Sequence, residues 1–269
     1  MNTNEQNKVL SQDNLKLTSA KSAFDYILNL YQQQPKNFDN SYIGIGTGST
    51  ANFFIDLISK NDDFKRIFKA AICSSNVSEQ RLVANNFPII SLTDFHENSP
   101  KIFIPFYIDG ADEINENLQM IKGGGGALTK EKIVATMSQK FLCLADETKL
   151  VNKLGKFPLA VEVLPSAKYL VIQKLNELNE LNELNELNEL KNIKIIKITE
   201  RKNFITDSNN LILDLHFANT FDNQQAMILE QTINNIVGVV ENGLFTQHSK
   251  AADVLFLATQ NGIKNISKE

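Results

Sequence analysis

Residues 102–131 read IFIPFYIDGADEINENLQMIKGGGGALTKE. The first part, Ile102 to Ile108, is apolar, aromatic and β-branched, which is the make-up of a buried strand. It stops in the acidic turn Asp109-Gly110-Ala111-Asp112-Glu113, so carboxylates gather where a strand ends. Lys122 and four consecutive glycines, Gly123 to Gly126, follow. ALTKEKIVATM then has helical spacing and places Glu131 in its opening turns. Glycines cost conformational entropy and bury no side chain. A run of them between strand-end acids and a helix start predicts backbone pressed directly against a ligand. The adjacent ammonium and helix N-terminus favour an anion or oxyanion there. A flexible linker is the alternative, and the structured flanks argue against it.

Upstream, the same logic recurs. Ser11 opens a first amphipathic helix running to Tyr31, with Leu15, Ala20, Ala23 and Ile27 at helical spacing. Tyr42 to Ile45 predicts a strand, Gly46-Thr47-Gly48-Ser49-Thr50 a loop, and Ala51 to Ser59 a helix. The loop is not a dinucleotide fingerprint, because position 49 is Ser, and no G-K-[ST] follows. Its hydroxyls and the free amides of the helix start can still surround a phosphate monoester. An N-cap with a tight turn is the other reading. Lys69 to Cys73 reads as a strand, Ser74-Ser75-Asn76 as a turn, Glu79 to Asn85 as helical and Ile89 to Leu92 as a further strand. Downstream of the glycines, Phe141 to Ala145 is again strand-like and ends in Asp146-Glu147-Thr148-Lys149. Strands alternating with helices predict an α/β fold: a Rossmann-like, mostly parallel sheet flanked by helices, with ligand sites at the carboxyl ends of the strands.

The register changes at Phe157 to Pro165, an extended segment bounded by prolines. Ile193 to Thr199, Phe204 to Thr206 and Leu211 to His216 read as strands, with Asp207-Ser208-Asn209-Asn210 as a hairpin turn. Met227 to Asn234 reads as a helix. This predicts a second, smaller α+β domain of ferredoxin-like type. The expected division is a disordered tail over 1–11, a catalytic domain of 12–155 plus 236–269, and a small domain over 156–235. The segments Val237 to Val240, Gly243-Leu244-Phe245 and Asp253 to Ala258 return to the first domain, and Thr259 to Glu269 is a short tail. Residues 175–189 are five copies of Leu-Asn-Glu. A period of three drifts against the helical 3.6, so the leucine stripe winds around a helix. A lengthened helix projecting into solvent is the reading, with disorder as the alternative.

A chain of 269 residues accommodates two unequal domains. The net charge of −4 argues against a nucleic-acid partner, which needs a concentrated basic surface. Although 42% of residues are hydrophobic, no window approaches the ~20 apolar residues of a membrane span. The start, MNTNEQNKVLSQDN, lacks a basic n-region and apolar core, so a cytoplasmic location is expected. Cys73 and Cys143 form no CxxC, and His96, His216 and His248 form no HxxxH, so no metal site is expected.

The residues quoted above carry a resemblance. DGADEI at 109–114, IKGGG at 121–125, then Ala127-Leu128 and, after basic Lys130, Glu131-Lys132-Ile133 resemble the signature of type A ribose-5-phosphate isomerases. The likeness extends to residues 44–50, 145–149, 157–163 and 242–245, and so over most of the chain from about Leu15. It implies an aldose–ketose isomerase of the non-oxidative pentose phosphate pathway that interconverts D-ribose 5-phosphate and D-ribulose 5-phosphate through an enediolate. Glu131 matches the general base. Lys122 and the peptide groups of Gly123, Gly124 and Gly125 would stabilise the oxyanion, while Asp109 and Asp112 would bind hydroxyls, orient Lys122 and assist ring opening. Thr47, Gly48, Ser49, Thr50, Gly110, Ala111 and Lys149 complete the implied substrate contacts. Lys16 matches a phosphate-binding lysine, with a solvated surface lysine as the alternative.

The resemblance implies a homodimer or homotetramer and no cofactor, since no redox or group-transfer step occurs. This chain departs from the family in a longer loop at Lys36 to Ser41, in the Leu-Asn-Glu repeat, and in Asp207-Ser208-Asn209-Asn210, where the family has Asp-Asn-Gly-Asn. Two other classes stay open at this point. A phosphosugar sensor would need a DNA-binding module, and the N-terminus contains no helix-turn-helix. An acyl-CoA transferase-like enzyme would use Glu131 as a nucleophile, whereas the glycine loop suits a small phosphate.

Overall fold

The computed structural model describes residues 10–94, 103–183 and 188–268. The tail over 1–9, the connection over 95–101, Ile102 and the repeat residues 184–187 lie outside the described residues. The chain enters through α1 (Gln12–Gln33), where the Ser11 hydroxyl accepts from Asn14 N, and Leu15, Ala20, Ala23 and Ile27 are buried. Leu10 and Ser11 therefore belong to the folded chain and not to the tail, and Leu10 exchanges hydrogen bonds with the side chain of Gln260. Then come β1 (Ile43–Ile45), α2 (Ser49–Ser59), α3 (Asp62–Ile67), β2 (Ala71–Cys73) and α4 (Asn76–Ala84). The central stretch forms β3 (Phe106–Gly110), β4 (Glu113–Ile114), β5 (Met120–Ile121) and α5 (Leu128–Met137), followed by β6 (Lys140–Asp146). The remainder is β7 (Leu159–Val163), α6 (Lys168–Glu183), β8 (Ile195–Glu200), β9 (Leu211–Phe217), α7 (Asn223–Asn234), β10 (Val239–Asn242), β11 (Leu244–Phe245), β12 (Val254–Thr259) and β13 (Gly262–Ser267).

Six strands form the main sheet in the order β13-β12-β6-β3-β1-β2. All its neighbours pair in parallel except β12 with β13. Apart from edge strand β13, its strands are mostly buried, which is why β1, β3, β6 and β12 read as largely apolar runs. One face packs on α1 and α2 through Ala23, Ile27, Phe54 and Ile58, and the Ser19 hydroxyl pins α1 by donating to Phe256 O at 2.7 Å. Four strands form a second, antiparallel sheet in the order β10-β7-β9-β8. With α6 after β7 and α7 after β9, this is the βαββαβ order of a ferredoxin-like unit. Its core is Val161, Val163, Val171, Leu175, Leu213, Leu215, Leu229 and Ile233. Strands β11-β5-β4 form a small third sheet between the two. Among the described residues, no helix is long and apolar enough to cross a membrane.

Four expectations change. Ile89 to Leu92 is not a strand: Ile89 makes one bridge to Ala71 and Leu92–Asp94 is a 3-10 turn, because Ser91 turns the chain by accepting from Thr93 N on its hydroxyl and from Asp94 N on its carbonyl. Phe204 to Thr206 lies in the loop between β8 and β9. Strand β10 pairs with β7, so the antiparallel sheet keeps the chain to Asn242 instead of releasing it at 236. The supposed tail after Thr259 turns at Gly262 (φ 114) and returns as edge strand β13. Lys264 on that strand suits an unpaired edge. The repeat begins in α6, where Leu175 is buried and Leu178 nearly so.

Candidate active site

Asp109 closes β3 at the carboxyl edge of the main sheet. Its carboxylate is fully buried and takes four donors. Oδ1 accepts from Thr47 N (3.0 Å) and Gly110 N (2.7 Å). Oδ2 accepts from the Tyr107 hydroxyl (2.6 Å) and from Lys122 Nζ (2.8 Å). Gly46 makes this placement possible, because a Cβ at that position would overlap the Asp109 carboxylate. Lys122 follows β5 and is fixed at both ends: its N–H donates to Gly243 O at 2.8 Å, and its ammonium also donates to Gly110 O at 2.7 Å. Glu131, in the first turn of α5, brings Oε2 to 3.1 Å from the same ammonium. Lys122 and Glu131 are 3% and 4% exposed, so two carboxylates share one ammonium out of water.

That arrangement sets the proton affinities. Burial pushes the Glu131 carboxyl up to about 8, with Lys122 pulling it down and Asp109 pushing it further up. Burial works against the Lys122 ammonium, but Asp109 and Glu131 outweigh it and leave the lysine above its usual range. The Tyr107 hydroxyl is held well above its usual value by burial and then by Asp109 and Glu131, so it stays protonated and donates to Asp109. Glu131 is therefore a carboxyl that can gain and lose a proton near neutral pH beside a permanent cation.

The glycine loop completes one wall. Asp112 Oδ2 accepts from Gly124 N at 2.7 Å. Gly126 adopts φ 78 and lies against Phe204, whose ring would overlap any Cβ there. A cavity of about 160 Å³ opens in front of this group, the scale of a small metabolite. It is lined by Thr47, Gly48, Ser49, Thr50, Gly110, Ala111, Asp112, Lys122, Gly123, Gly124, Gly125, Glu131 and Lys149, together with Lys16 and Gln12. At one end Gly48 (φ 112) precedes α2 without a side-chain cap, which leaves the first helix amides open to an anion.

Sequence-predicted residues from Lys16 to Lys149 thus converge on one cavity. Asp109 is the exception. Fully buried and absent from the cavity wall, it holds Lys122 from behind. Glu113, from the same acidic turn, faces away and accepts from Gly155 N (2.8 Å) and Phe157 N (2.6 Å). Lys16, open between two readings in the sequence, lines the cavity. Gln12 and Tyr107 were not anticipated. Gln12 stands one helical turn before Lys16 on the same face, and Tyr107 stands two strand positions before Asp109.

The comparisons with known proteins decide the family. Residues 70–262 match the family model for ribose 5-phosphate isomerase A (phosphoriboisomerase A). A curated ribose-5-phosphate isomerase A from Bordetella avium (strain 197N) is 41% identical over 260 residues, covering 97% of this chain and all of the relative. The chain belongs to the ribose 5-phosphate isomerase A family. The crystal structure of ribose 5 phosphate isomerase A from Neisseria gonorrhoeae superposes with a TM-score of 0.74 at 39% identity, covering 96% of this chain and 97% of that one. A D-ribose-5-phosphate isomerase structure in complex with phospho-erythronic acid gives 0.75 at 30% identity, covering 96% of this chain and all of its own. Ribose 5-phosphate isomerase A membership accounts for the parallel sheet and the smaller antiparallel sheet together.

Proposed function

We propose that this chain interconverts D-ribose 5-phosphate and D-ribulose 5-phosphate by moving a proton between C2 and C1 through an enediolate. The observation that carries the reading is the buried Glu131–Lys122 pair at 3.1 Å, opening onto a small polar cavity with a helix N-terminus at its other end. A hydrogen next to a carbonyl is weakly acidic, so its removal needs a base at carbon and positive charge at oxygen in the same site. Glu131 takes the proton from C2 and returns it at C1. Lys122 and the amides of the glycine loop stabilise the enediolate oxygen. Thr47 to Thr50 and the start of α2 receive the phosphate, with Lys16 and Lys149 supplying positive charge. Asp112 spends one oxygen on Gly124 N and keeps the other for a sugar hydroxyl, where it assists ring opening. Asp109 acts through Lys122.

Assembly as a homodimer or homotetramer is part of this proposal. Light scattering on the eluted protein measures it. The test of function is ketose formation from ribose 5-phosphate without added metal or cofactor, with wild type and Glu131→Gln side by side. Turnover that falls by about two or more orders of magnitude in the variant is expected. Equal rates would remove Glu131 from the role of base, and a wild type that binds without turnover would overturn the isomerase reading.

A further inference from the structure

The antiparallel sheet sends one side chain to the glycine loop. Arg201, the residue after β8, grips Asp214 of β9 through Nε (2.7 Å) and Nη2 (2.6 Å) and donates from Nη1 to Gly124 O at 3.0 Å. Phe204, whose ring lies 5.8 Å from the guanidinium carbon, packs against Gly126. The peptide joining Gly124 to Gly125 thus has its carbonyl committed to a charged donor that is itself locked in place. No peptide among the described residues is cis, and a trans peptide points its C=O and N–H in opposite directions. The Gly125 N–H therefore points away from Arg201. Gly125 lines the cavity and Arg201 does not. Among the described residues, the neighbouring amides of Gly124 and Gly126 are taken by Asp112 and Gly123 O, while the Gly125 amide has no such partner.

A peptide with glycine on both sides turns over easily, since neither residue resists positive φ. In the turned-over state a carbonyl oxygen would face the cavity where negative charge develops. We propose that Arg201 is a positioning residue for the isomerisation: by holding Gly124 O it fixes the 124–125 peptide with the Gly125 N–H toward the enediolate oxygen. This rests on the isomerase reading given above. The second sheet thereby acts on the chemistry indirectly, through a residue that positions the glycine loop.

The test uses the full chain carrying Arg201→Met or Arg201→Lys, with steady-state kinetics on ribose 5-phosphate and competitive inhibition by inorganic phosphate. For Arg201→Met, kcat falls by about ten- to a hundredfold, the range set by losing one oriented oxyanion donor part of the time. KM and the phosphate inhibition constant stay within about twofold, because the Thr47–Thr50 end is untouched. Arg201→Lys regains part of kcat, since an ammonium can still donate to Gly124 O but cannot hold Asp214 as a fork. Unchanged kcat in Arg201→Met overturns the proposal. So does a fall in kcat accompanied by equal weakening of phosphate inhibition and a lower Tm, which marks general loosening. Should Arg201→Met fail to fold, Asp214→Asn keeps the guanidinium and frees its fork. A smaller kcat loss at constant KM is then expected, and no loss overturns the proposal. A wild type without isomerase activity overturns the parent reading, which separates the two failures.

Discussion

Replacing Asp109 by Asn should move the acidic limb of the pH–rate profile to lower pH. The base Glu131 works only when ionised, and its carboxyl lies at about 8, so wild-type kcat/KM rises with pH up to that region. Part of the upward push is the charge on Asp109. Its Oδ2 and the Glu131 Oε2 touch the same Lys122 nitrogen at 2.8 and 3.1 Å, which limits their separation to about 6 Å. At an effective dielectric of about 20, like charges at that distance repel by about 3 kcal/mol, or about 2 pH units. Removing Asp109's charge also leaves Lys122 with a single carboxylate partner, which shifts Glu131 in the same direction. The plateau rate falls because Lys122 loses its anchor. The assay is kcat/KM for ribose 5-phosphate between about pH 5 and 10 at constant ionic strength, a span that brackets the ordinary carboxylate range and the raised value. A wild-type limb at an ordinary carboxylate value, or an Asp109→Asn limb that stays put or rises, would refute the electrostatic account.

The same raised carboxyl makes a stability prediction. Its folded value exceeds its unfolded one, so the stability Glu131 contributes is present below about 4.5 and lost as pH rises through about 8. Glu131→Gln stays neutral, so its melting advantage over wild type should widen across that window; a constant gap in calorimetry would contradict it. Gly46→Ala should displace Asp109, lowering kcat at least about tenfold and Tm by several degrees, and a variant with wild-type activity would show that the carboxylate can shift freely. Lys16→Met should raise KM about tenfold with kcat unchanged, and an unchanged KM would return Lys16 to the solvated surface. The Lys132 ammonium is held by Glu230 (2.8 Å), Glu241 (2.9 Å) and the carbonyls of Asn242 and Leu244, so Lys132→Met should cost about 3–5 kcal/mol. Adding Glu230→Met should restore part of that loss in urea titration, because the fully buried carboxylate is removed and only the partly exposed Glu241 is left without its ammonium.

Sequence patterns gave the parts of the fold that rest on burial. The strand at Phe106–Gly110 and the helix at Leu128–Met137 were readable because one opens on the apolar run Phe106-Tyr107-Ile108 and the other repeats near 3.6 residues. Strand β13 was hidden: GIKNIS is an exposed edge held by backbone pairing to β12, and backbone pairing leaves little mark on composition. Site residues next to glycines or at strand ends could be read from local chemistry. Three-dimensional relations could not. That Asp109 faces Lys122 instead of the cavity depends on Gly46 lacking a Cβ, sixty-odd positions away. Arg201 is separated from Gly124 by 77 residues and lies in a segment that reads as ordinary hairpin.

The repeat in α6 has a consequence for how this chain can vary. Leu175 and Leu178 are anchored in the core of the antiparallel sheet, as is Leu190 just past the last copy, and the Asn179 side chain ties α6 to Ile195 through both its backbone N–H and carbonyl. Loss or gain of a whole Leu-Asn-Glu unit leaves the same repeat, one copy shorter or longer. Because identical units are interchangeable, the anchors can be refilled from whichever copies remain, and the change in length falls between them. A whole-unit change in the length of the repeat therefore leaves Leu175 and Leu178 on one side and Leu190 on the other.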